Sequence, residues 1–86
     1  MKKISNVKVK FIKKKDVVEM TTFSKSTIER KIANGLMPPP FKSSSLGRGV
    51  VFFEHEIQEV MLEIGKGSDD SKIKNLVSSL VKERQQ

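Results

Sequence analysis

Seven hydrogen-bonding side chains, Ser24, Lys25, Ser26, Thr27, Glu29, Arg30 and Lys31, occupy eight consecutive positions. Their types suit recognition of a polyanion better than bond-breaking. A guanidinium such as that of Arg30 can donate a bidentate pair to guanine O6 and N7, a contact that discriminates by about 1–3 kcal/mol. The short hydroxyls of Ser26 and Thr27 suit phosphates or base edges, and Lys25 and Lys31 add positive charge. Glu29 is the odd member. It can accept from a cytosine N4, but phosphate would repel it, so an intramolecular partner such as Lys25 or Lys31 is favoured. The bland alternative for the whole segment is a solvated, charged helix face.

Two further groups could serve the same chemistry. Lys42, Ser43, Ser44 and Arg48 lie in "FKSSSLGRG", with Arg48 between Gly47 and Gly49. Glycines let backbone approach a duplex closely, and the negative potential of a narrow minor groove attracts an inserted Arg. Alternatively the glycines only shape a turn and Arg48 keeps its tip hydrated. Lys13, Lys14 and Lys15 can neutralise phosphates, each such contact steepening the fall of log K with log salt by about 0.9, or they are plain solvation.

The elements that must position these groups follow from apolar spacing. Val17, Val18 and Met20, with Ile12 just ahead, predict a short helix from Lys13 to Met20, interrupted by Thr21 and Thr22. A second helix follows. Ser24 suits its N-cap, although Ser26 with Glu29 also has capping-box spacing. Starting at Ser24 leaves Ile28 and Ile32 one turn apart on the inner face, with Phe23 at the entrance. Asn34-Gly35 stops the helix, glycine supplying a left-handed C′ residue. Two helices joined by about four residues make a helix-turn-helix outline. "LMPPPF" must run extended, and "FKSSSLGRGVVFF" reads as a hairpin whose second strand is "VVFF". Ile57, Val60, Met61 and Ile64 predict a third helix ended by Gly65 and Gly67. Ile73, Leu76, Val77, Leu80 and Val81 predict a last amphipathic helix from about Ser71 to Arg84, with Lys82 and Arg84 suiting its dipole. Its stripe can fold back on the domain or pair with another protomer. The domain reading is a basic arm over 1–10, a winged helix-turn-helix over 11–65, a linker over 66–70 and an amphipathic helix over 71–86.

Composition narrows the function. The chain has 86 residues and formal net charge +7. Residues 1–48 hold twelve Lys/Arg against three acids, and residues 49–86 hold five against seven, so the excess positive charge is confined to the first half. No cysteine and one histidine, His55, leave no disulfide framework and no expected metal site. His55 reads as structural or solvated, and Met20, Met37 and Met61 as core filler. No Walker-type loop occurs, and with zero tyrosines the chain cannot be a tyrosine recombinase. No enzyme, cofactor or small-molecule ligand is expected. The N-terminus carries the charge of a signal peptide without its apolar run, and no stretch reaches the roughly 20 apolar residues of a membrane span. The expectation is a soluble cytoplasmic protein.

"S-x-S-T-I-x-R" from Ser24 to Arg30, "N-G-L-M-P" after it, and Phe52 followed by Glu56-Ile57 stand in an ordered set. Over residues 11–61 the chain resembles the AlpA family of prophage regulators and excisionases, related in fold to the MerR-type DNA-binding domain. Three positions depart from that pattern: the family often has Gly where Thr22 stands, Trp where Phe52 stands, and an apolar residue at Lys14. The resemblance implies a mainly α winged helix-turn-helix with a small β-hairpin, binding double-stranded DNA in a bacterial, nucleoid-associated setting. It implies an excisionase-type directionality factor that binds repeated sites and bends DNA for a tyrosine integrase, or a transcriptional regulator. With no ligand-sensing domain in view, the first is preferred. Self-association on DNA through the last helix is a further expectation. The reading from another class is an adaptor that holds a protein partner on that helix.

Overall fold

The computed structural model describes residues 9–42, 45, 47 and 49–84. Its elements, in chain order, are β1 (Phe11–Ile12), α1 (Lys14–Thr21), α2 (Lys25–Ala33), β2 (Phe52–Phe53), α3 (Glu54–Gly65) and α4 (Asp70–Glu83). The chain folds as a mainly helical winged helix-turn-helix in which α1 packs on α2, α3 on α4, and a two-stranded antiparallel sheet lies alongside.

The sheet differs from the hairpin expected of "FKSSSLGRGVVFF". Its paired strands are β1 and β2, with Phe11 opposite Phe53 and Ile12 opposite Phe52. The expected hairpin survives as one antiparallel bridge, Phe41 to Val51, at the foot of the loop over residues 42–50. Two reciprocal hydrogen bonds form it: Phe41 N to Val51 O at 2.8 Å and Val51 N to Phe41 O at 3.0 Å. Pro38 to Pro40 supply no amide donors, so pairing cannot extend upstream of Phe41. The return strand instead satisfies its backbone on β1, at the start of the 11–65 span and just after the basic arm over 1–10. Residues 1–8 of that arm lie outside the described residues.

The helix ends follow local chemistry. At the start of α1 the Asp16 carboxylate accepts from Lys13 N at 3.0 Å. At its end Thr22 takes the left-handed conformation, φ 64° and ψ 5°, and its N–H donates to Val18 O. Thr21 ties the turn together: its hydroxyl donates to Val17 O at 2.7 Å and accepts from Phe23 N at 3.2 Å. After α2, Gly35 (φ +75°) sends its N–H to Ile32 O while Leu36 N reaches Lys31 O. These are the paired bonds of a Schellman stop. Asp69 caps α4, accepting from Lys72 N at 3.0 Å.

The core is built from Ile12, Val17, Ile28, Met37, Phe52, Ile57, Val60, Ile73, Val77 and Leu80. Ile28 and Phe52 are essentially inaccessible, and each such side chain contributes about 1.5–3 kcal/mol by leaving water. Phe52 thus fills the position where the resembling family often has Trp. The stripe of α4 packs within its own chain through Ile73, Val77 and Leu80. No helix among the described residues is long and apolar enough to cross a membrane.

Candidate functional site

The helix-turn-helix places α2 with Ile28 down and its polar residues out. Ser24 is the N-cap, its hydroxyl accepting from Thr27 N at 3.2 Å. That hydroxyl also donates to Thr27 Oγ1 at 2.9 Å and lies 3.3 Å from Ser26 Oγ, so three hydroxyls cluster at the positive end of the helix. Lys25, Ser26, Glu29 and Arg30 are exposed, and Thr27 is half-buried. The Arg30 guanidinium makes a long 3.5 Å contact to Thr27 Oγ1. It pairs with no carboxylate among the described residues, and so is available to a partner.

Two of the expected contact residues have other engagements. Glu29 is bound by neither Lys25 nor Lys31 but by Lys14 of α1, Nζ to Oε2 at 2.7 Å. The separation along the chain, fifteen residues, hid this pair from helical spacing rules. The Lys14 hydrogen bond, followed by its charge, holds the Glu29 carboxyl below 4.5. The ion pair therefore neutralises the one acid on the recognition face and removes Lys14 from the freely available cations. Lys31 is half-buried, with its ammonium 5.1 Å from the centre of the Phe23 ring. Such a cation–π contact turns it toward the turn preceding α2.

Lys13 and Lys15 are exposed at the start of α1. A shallow groove between α1 and α2 is lined by Lys14, Lys15, Val18, Glu19 and Lys25. It brings Lys15 beside Lys25, the first residue of α2, a placement that suits a phosphate flanking the major-groove contact. Of the wing candidates, Lys42 is exposed. Ser43, Ser44 and Arg48 lie outside the described residues. Gly47 and Gly49 have φ of +75° and +85°, a backbone that only glycine adopts without strain, so the loop's course depends on them.

One structurally central residue escaped the sequence reading. Arg84 lies at the C-terminal end of α4, where its charge suits the helix dipole. It also forms a bidentate ion pair with Glu56 of α3. The available signal was Glu56 itself, a carboxylate one turn before Val60 on the apolar side of α3, which needed a cation from elsewhere. His55 is half-buried against Phe53, with ring centres 5.5 Å apart and Nδ1 enclosed without a hydrogen-bond partner. Among the described residues no group of His, Cys, Asp and Glu is placed to hold a metal ion.

Comparison with known proteins gives one match. Residues 10–63 fit the family of the prophage CP4-57 regulatory protein (AlpA), a span from β1 to near the end of α3 that contains α2 and the glycine-flanked loop. No curated protein and no solved structure matches the chain. With more than half its length inside that family's pattern, the chain belongs to the AlpA family of DNA-binding prophage regulators.

Proposed function

We propose that this chain reads a specific duplex sequence with α2 in the major groove and the 42–50 loop against the neighbouring minor groove. In this reading it acts as an excisionase-type directionality factor that bends DNA for a tyrosine integrase. The observation that carries the reading is the exposed, carboxylate-free guanidinium of Arg30, set one turn beyond a hydroxyl-rich helix start. N-terminal residues of a second helix are the ones that face base edges in helix-turn-helix docking. Lys15 and Lys25 in the adjoining groove give the phosphate contacts that fix register. Gripping two grooves at once, with protomers repeated in phase along the duplex, favours bending. A second reading, regulation of transcription without recombination, is favoured by the family's description as a regulatory protein. The adaptor reading has less surface to draw on, because Ile73, Val77 and Leu80 of the α4 stripe are buried in the chain's own core.

Gel shift against fragments of the host element at about 100 mM salt tests the proposal, since discrete complexes persist there only if base contacts add to phosphate contacts. Discrete bands are expected, and Arg30→Ala is expected to abolish them. Sequence-independent smearing that survives Arg30→Ala would defeat the reading. An excision reaction supplied with the integrase then separates the two roles: stimulation supports a directionality factor, and repression of a neighbouring promoter without stimulation supports a regulator.

A further inference from the structure

We propose that Arg84 is a positioning residue for the wing: from the end of α4 it fixes the Phe41–Val51 foot from which the 42–50 loop leaves the domain. The residue lies outside the span matched by the family, yet its contacts bracket the loop on both sides. Its Nη2 donates to Pro39 O at 2.8 Å, just before the loop. Its guanidinium carbon lies 5.7 Å from the centre of the Phe41 ring and 5.3 Å from that of Phe53. Those rings stack at 4.5 Å with a 14° angle between planes. Phe41 belongs to the Phe41–Val51 bridge, the ladder rung that closes the loop among the described residues, and Phe53 lies just beyond it.

The orientation of the guanidinium is itself fixed. Nε donates to Glu56 Oε2 at 2.9 Å and Nη2 to Glu56 Oε1. Side-chain exposures are 15% for Arg84 and 1% for Glu56. A planar fork held bidentately by an almost fully enclosed carboxylate has no freedom to rotate. One side chain therefore joins the segment before the loop, the foot of the loop and the strand after it. Lysine could keep the charge but not the fork or the flat stacking surface. The wing thus depends on a residue beyond the residues that define the family.

The test uses Arg84→Lys in the full chain, because a neutral truncation would leave Glu56 unpaired and loosen the whole fold. Amide hydrogen exchange is the first measurement. Phe41 and Val51 amides are expected to exchange at least about tenfold faster than in the wild type, while Leu36 and the α2 amides stay within about twofold. Unchanged exchange at Phe41 and Val51, or equal acceleration everywhere, overturns the proposal. The second measurement rests on the DNA-binding reading. Hydroxyl-radical footprints should lose minor-groove protection, while methylation protection of guanine N7 under α2 persists. Simultaneous loss of both protections, or retention of both, contradicts the proposal. A wild-type protein that gives no footprint defeats the DNA-binding reading alone, and the exchange result still decides the role of Arg84.

Discussion

Thr22 offers a direct measure of how the helix-turn-helix turn is held. It caps α1 with φ 64°, the only non-glycine residue with positive φ among the described residues. A β-branched side chain in that conformation carries roughly 1–2 kcal/mol of steric strain. Its side chain is exposed, so its removal gives up no core contact. Its hydroxyl donates to the adjacent Thr21 carbonyl, a partly buried bond whose net value is about 0.5–1.5 kcal/mol at most. Thr22→Gly relieves the strain but adds about 0.4–1 kcal/mol of freedom to the unfolded chain. The net gain over a variant that has lost the same hydroxyl is about 0.5–1 kcal/mol, which in a domain of this size raises Tm by about 2–8 °C. Calorimetry or urea titration reads this directly. Thr22→Val serves as the control: it keeps the branching, loses the hydroxyl, and should show no gain. An unchanged or lowered Tm for Thr22→Gly, with an equal loss for Thr22→Val, would refute the strain argument and assign the turn to the hydroxyl bond.

Substitutions at three other residues test the contacts described above. Glu29→Gln frees the Lys14 ammonium and should steepen the dependence of log K on log salt by about 0.9, measured by binding titrations at several salt concentrations. Because Lys14 lowers the Glu29 carboxyl, its contribution to stability is present above the ordinary 4.5 and lost as pH falls through the lowered value. Urea melts should therefore show wild type and Glu29→Gln converging in acid. Glu56→Ala leaves the Arg84 guanidinium enclosed without its carboxylate and should cost about 3–5 kcal/mol in urea unfolding, whereas joint replacement by Leu and Met should recover most of that loss. Ser24→Ala removes the acceptor for Thr27 N and should cost about 1 kcal/mol, with calorimetry as the readout.

The parts of the fold legible in the sequence were those governed by neighbours. Ser24 as cap, Gly35 as stop and Ile28 as anchor are decisions made within one or two turns, and the spacing of residue types expresses them. The apolar stripes of α3 and α4 were equally plain, and burial of Ile73, Val77 and Leu80 against α3 resolved which surface α4 covers. What sequence could not express were pairings across long separations. β1 has two residues, too few for any alternation to show, and its partner lies forty positions away. Lys14 and Glu29 meet because α1 and α2 cross, which fixes Glu29's partner in space and not along one helix. The Arg84–Glu56 pair was hidden for a related reason: a cation at a helix end already satisfies a local rule, and its carboxylate lies twenty-eight positions earlier.

The pairing of Phe11–Ile12 with Phe52–Phe53 has a consequence for biosynthesis. Everything that would touch a duplex, from the lysine run to the glycine-flanked loop, is enclosed between those two short strands. A nascent chain emerging from the ribosome can form the first turns of α1 and α2 early, but the clasp waits for Phe53 to clear the exit tunnel. Closing a loop of this length is entropically unfavourable until Phe52 buries itself among Ile12, Val17 and Ile28. A translational stall between Gly35 and Val50 would therefore leave a basic, half-formed reader without its aromatic plug, and full competence would wait for Leu80 and Arg84, which complete the core and brace the foot of the loop.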